Sequence, residues 1–176
     1  KRTHYLVLDL TTVLTTVLTT VLTATSVLSA TSALAGTVSG TITAKGMPDA
    51  RDAVVFIDAI PGMTFEAPEH HATINQKGMV FVPHVLPVLA GTAVDFRNSD
   101  DVLHNVFSPL KCAGSFNLGT WKKGESRTHT FTEVGCSAVL LCSAHPEMEG
   151  YVVTMPTPYF ATTGPDGKYT IEGVPA

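Results

Sequence analysis

Cys142, His145 and Met148 put a thiolate, an imidazole and a thioether within seven residues, directly after the apolar run Ala138 to Cys142. Soft sulfur ligands combined with imidazole favour copper. Two His, one Cys and a weak, distant Met make up the copper site that proteins use for electron transfer. The missing histidine must come from elsewhere, and His104 is well placed, in Leu103-His104-Asn105-Val106 after the polar loop Asn98 to Asp101. Glu147 stands beside Met148 as a residue that tunes the site or takes the methionine's place. Each residue alone has an ordinary reading: a cysteine ending an apolar strand is usually a buried hydrophobe, a lone histidine a surface residue, a methionine core filler. Their ordered spacing is what favours one shared site. Covalent haem attachment needs C-x-x-C-H, a structural zinc site needs more cysteines or a second close His pair, and a cysteine hydrolase places its Cys and His far apart in sequence.

Ligands from separate loops need a rigid frame, and the chain after Gly36 reads as strands. Thr37 to Thr43 alternates, with Val38, Gly40 and Ile42 on one face. Further strand signals are Ala53 to Ile57, Gly78 to Pro83, Leu86 to Phe96 turning at Ala90-Gly91-Thr92, Thr128 to Phe131, Ala138 to Cys142 and Tyr151 to Met155. Pro61-Gly62 marks a turn. Tyr159 to Thr163, Pro165-Asp166-Gly167 and Lys168 to Ile171 read as a hairpin with an Asp-Gly turn. No helical period stands out, and short strands at this spacing argue an all-β sandwich or barrel.

The chain has 176 residues, 44% of them hydrophobic and 15% charged, with a formal net charge of -4. It can bury a core, and the lack of a clustered basic patch argues against nucleic-acid binding. Residues 1–35 differ from the rest: Lys1 and Arg2, then an apolar, Thr-rich stretch interrupted by Asp9, then Ala33-Leu34-Ala35. That layout predicts a secretory signal peptide, or an uncleaved membrane anchor, followed by one domain over residues 36–176. Because the chain stops at Pro175-Ala176, where another strand is expected, a continuation is expected too. In an exported, oxidising setting Cys112 and Cys136 can form a disulfide and leave Cys142 as the free thiolate; the alternative is two free buried cysteines.

The Cys142–Met148 segment, with the earlier His104-Asn105, resembles the cupredoxin family of blue copper proteins. Its C-x2-H-x2-M spacing is similar to the short loop of amicyanin, down to Pro146 after the histidine, whereas plastocyanin-type loops are longer. The likeness runs from about His71 to Tyr159, with the Gly36 to Pro61 strands as an N-terminal extension of the sandwich. It implies a Greek-key β-sandwich and one type 1 copper. His104 and His145 would ligate it through ring nitrogens, Cys142 through its thiolate and Met148 axially, while Asn105 would brace the two ligand loops.

The resulting expectation is a periplasmic or otherwise extracytoplasmic one-electron carrier that meets a redox protein through the edge of His145. Pro146, Val85 and Leu86 are the expected apolar surround. A copper delivery or storage protein is the second reading, although the chain has only 5 Met and no Met cluster. A copper enzyme is the third, lacking an H-x-H motif. Glu66, Glu69, His70 and His71 read as a solvated loop before a second metal site. His84 reads as structural or as part of a docking surface, and Trp121 as packing on the sandwich.

Overall fold

The computed structural model describes residues 35–175, so the leader or anchor expected over residues 1–35 lies, apart from Ala35, outside the described residues. The described chain is built of strands. In order they are β1 (Ala35–Thr41), β2 (Val54–Phe56), β3 (Ala72–Gln76), β4 (Phe81–Val82), β5 (Val85–Leu89), β6 (Thr92–Asn98) and β7 (His104–Phe107). After a 3-10 turn at Lys111–Ala113 come β8 (Asn117–Trp121), β9 (Ser126–Phe131), β10 (Ser137–Leu141), β11 (Glu149–Met155), β12 (Phe160–Thr162) and β13 (Lys168–Pro175).

Two sheets form the sandwich. One is four-stranded in the order β4-β3-β6-β9, the other five-stranded in the order β5-β11-β10-β7-β8. Both are mixed, with β3 parallel to β6 and β5 parallel to β11. Period-2 alternation decides which side chains meet between them. On β6 Thr92, Val94, Phe96 and Asn98 are buried and Arg97 is exposed; on β10 Ala138 and Leu140 turn inward. Ile74, Val94, Phe96 and Phe131 from one sheet pack with Val88, Val106, Leu140, Val152 and Trp121 from the other. The chain passes from sheet to sheet between β4 and β5, β5 and β6, β6 and β7, β8 and β9, and β9 and β10, so the fold is the expected all-β, Greek-key sandwich. A disulfide joins Cys112 to Cys136, Cα atoms 5.7 Å apart, and Cys142 stays free and buried.

The chain ends depart from expectation. Gly164 and Gly167 close the Pro165-Asp166 turn (Gly167 N–H to Gly164 O, 2.9 Å), but the strands on either side do not pair with each other. Instead β12 pairs with β2, and β13 with β1. Thr163 fixes the first pairing, its N–H donating to Ala53 O at 2.9 Å and its Oγ accepting the Ala53 N–H at 3.0 Å. Gly167 fixes the second: its O accepts the Ile42 N–H at 2.8 Å, and at φ 73° any Cβ would sit 2.0 Å from Ile42 O. The N-terminal strands therefore join C-terminal ones in two separate ribbons rather than extending either large sheet.

Candidate metal centre

Three elements deliver the donors to one pole of the sandwich. β7 begins with His104, which is fully buried; β10 leads into Cys142, also buried; the loop between β10 and β11 carries His145, partly exposed, and Met148, buried. That loop is wound tightly by His145 N–H to Cys142 O (3.3 Å) and Met148 N–H to His145 O (3.0 Å). Its spacing thus lets one short turn present a thiol, an imidazole and a thioether.

His104 Nδ1 and His145 Nδ1 lie 3.1 Å apart, and Cys142 Sγ is 3.7 Å from the latter and 4.0 Å from the former. A first-row ion bound near-tetrahedrally at about 2.0 Å to nitrogen and about 2.3 Å to sulfur would separate its donors by roughly 3.3 to 3.6 Å. The observed separations bracket that range, the two nitrogens standing slightly closer together and the sulfur somewhat farther from each. Among the described residues this is the one group of three or more His, Cys, Asp or Glu side chains found close enough to share a metal. Its two imidazoles and one thiolate, with a buried thioether on the same loop, suit type 1 copper.

Asn105 ties the donor loops together. Its backbone N–H points at Cys142 Sγ at 3.4 Å, and its Oδ1 accepts from Ser143 N–H (3.2 Å) and Oγ–H (2.9 Å). Its Nδ2 donates to Asn117 Oδ1 (2.8 Å) and Gly119 O (2.7 Å), which pins β7 to β8. One residue the sequence reading passed over is Asp100, taken there only as part of a polar loop. Its Oδ2 lies 3.0 Å from His104 Nε2. Burial pushes this carboxyl up, but N–H donation from Met79 and Gly78, together with the His104 ring, outweighs it and holds the group down at about 2. The signal for it was its place four residues before a ligand histidine.

The other candidates fall apart from this group. Glu147 is exposed and outside the donor cluster. Val85 lines an outer groove with Asp52, Phe56 and Tyr151, Leu86 packs on the core, and both are half-buried, whereas Pro146, next to His145 in the chain, is exposed. Val102 and Leu103, next to His104, are exposed instead. His71 Nδ1 meets Asp95 Oδ1 at 2.9 Å, while Glu66 and His70 line a mainly apolar cavity of about 470 Å³ with Phe65, Pro87, Leu89 and Phe160. His84 Nδ1 meets Asp52 Oδ2 at 3.0 Å. Trp121 is buried at 1% exposure, paired across the sheet with His104 and covered by Arg127 at 5.6 Å.

No family model and no curated protein matches the chain. Among solved structures it is similar to a reduced amicyanin variant, with 27% identity over 51% of this chain and 86% of that one and a TM-score of 0.46. A purple cupredoxin from Nitrosopumilus maritimus shows 28% identity over 47% of this chain and 98% of that one, TM-score 0.43. A copper-containing nitrite reductase from Thermus scotoductus shows 28% identity over 56% of this chain but only 25% of that longer one, TM-score 0.47.

Proposed function

We propose that this protein is an extracytoplasmic one-electron carrier that holds one copper through His104, Cys142, His145 and Met148. The observation that carries the reading is the convergence of two Nδ1 atoms and one Sγ, at 3.1 to 4.0 Å, at one pole of the β-sandwich. Copper bound there would alternate between Cu(I) and Cu(II), exchanging one electron at a time. The chain's own residues keep the donors in place. Asn105 locks the Cys142 loop to β7 and β8, and Trp121 and Val106 fill the space beneath. Burial of His104 and Cys142 excludes water from the donors, which limits rearrangement between oxidation states. His145 alone is partly exposed, so a partner protein would approach its edge, past Pro146. Contacts of that kind are small and transient.

The Cys112–Cys136 disulfide supports an oxidising compartment. Among the described residues no helix is long and apolar enough to cross a membrane. Copper titration of the protein, followed by visible absorption and electron paramagnetic resonance, tests the function. An intense thiolate-to-copper band at one equivalent, bleached reversibly by mild reductant, is the expected result. Binding of Cu(I) alone, without a coloured Cu(II) form, would replace the carrier with a copper-delivery role.

A further inference from the structure

Asp100 belongs to the loop between β6 and β7, and its carboxylate faces donors from two separate parts of the fold. Gly78 N–H donates to Oδ1 at 2.7 Å, Met79 N–H to Oδ2 at 3.0 Å, and the His104 ring meets Oδ2 at 3.0 Å. Gly78 and Met79 are consecutive residues in left-handed conformation, with φ 68° and 65°. Successive N–H groups in such a turn form a concavity that collects anions. For methionine that conformation is uncommon, and residues held in it tend to sit where function needs them. The loop is fixed from the other side by Asn98, whose Oδ1 accepts the Asp100 N–H (2.8 Å) and whose Nδ2 donates to Val102 O (2.8 Å) and Trp121 O (3.0 Å).

Both Asp100 oxygens already accept backbone N–H bonds from Gly78 and Met79, so the group stands as an acceptor and the bond to Oδ2 is donated by His104 Nε2–H. The lone pair is then on Nδ1, the atom that faces Cys142 and His145. Fixing the far nitrogen of a ligand histidine sets its tautomer and raises its basicity. A negative charge behind the ligand also favours the more highly charged ion.

We propose that Asp100, seated in the Gly78–Met79 turn, is the positioning residue of the metal centre, fixing the His104 tautomer and favouring Cu(II) over Cu(I). This rests on the copper reading above, but part of it can be tested without metal. In the full-length, metal-free protein, nitrogen-15 spectra should show His104 protonated on Nε2, and Asp100→Ala should mix the two tautomers. With copper, Asp100→Asn should lose at least tenfold in Cu(II) affinity while Cu(I) affinity changes less than threefold. For a one-electron couple a tenfold difference raises the potential by about 59 mV. A merely structural anchor would weaken both ions equally and leave the potential in place; that result would overturn the assignment. If both variants fail to fold, the wild-type spectrum still decides, because a proton on Nδ1 of His104 excludes the role. A wild type that binds no copper overturns the carrier reading alone, and the tautomer then settles the part played by Asp100.

Discussion

Cys142 sits 2% exposed at the end of a buried strand, with Asn105 N–H as its visible hydrogen-bond donor. A thiolate is the source of the charge-transfer colour proposed here, so Cys142→Ser should abolish the band in a copper titration while the fold, read by circular dichroism, survives. Met148 contributes differently. A weak axial ligand tunes without anchoring, so Met148→Gln should keep copper and move the potential measured by voltammetry; an unmoved potential would pass the axial position to a carbonyl. Asn105→Ala removes a side chain that is 2% exposed, takes away the partner of Ser143 and of Gly119 O, and takes one of the two donors from Asn117 Oδ1. The cost is about 2 to 3 kcal/mol, checked by urea unfolding of the metal-free protein. The cluster of His104, Cys142 and His145 could be picked out of the sequence because chemically unusual side chains stand in a fixed order. Asp100 could not. What marks it is a turn at Gly78 and Met79, more than twenty residues away, and nothing in the spacing of the loop announces that turn.

At the level of elements, the strands with strong β-branched or alternating runs, such as β6, β10 and β11, were readable, and the weak ones were not. β3 is Ala-Thr-Ile-Asn-Gln, with polar Gln76 fully buried, and β8 carries a glycine at φ 73° in its middle, so neither shows a strand signature. Both are held by neighbours, β3 between β4 and β6 and β8 beside β7. The terminal hairpin failed for a related reason: a turn signal fixes the turn, while partner choice depends on which edges stand open nearby. Gly167→Ala should therefore loosen the β1–β13 ribbon, seen as faster amide exchange there, with the copper band unchanged. Across β6 and β9, Asp95 accepts from Thr128 Oγ–H at 2.6 Å and meets His71 at 2.9 Å. The Thr128 hydrogen bond, opposed by burial and helped by His71, holds its carboxyl below the usual range. A depressed carboxylate contributes stability above its unfolded pKa and loses it as pH falls through the folded value. Asp95→Asn should accordingly cost about 1 kcal/mol near neutrality, a difference that shrinks as the pH drops below the ordinary carboxylate range and is gone below the depressed folded value, in denaturant curves taken across pH.

For the molecule as a whole, the Cys112–Cys136 bridge closes a separation of 24 residues between the β7–β8 connection and the start of β10. Replacing both cysteines with serine should lower stability by about 3 kcal/mol, and the copper band should persist, since neither sulfur belongs to the donor group. The class of fold was legible from strand spacing and turn residues alone; the pairing of the two chain ends was not, because it joins residues more than 120 positions apart. That pairing sets an order of events. A chain emerging from its N-terminus makes β1 early, yet β1 has no sheet partner among the described strands until β13 appears. Every donor to the metal centre, and both sheets that frame it, are complete by Met155. Contacts between distant segments close late. The sandwich and its candidate donors can thus be in place, with the cysteines bridged, while the first strand is still waiting, and the β1–β13 ribbon is a clasp fastened last.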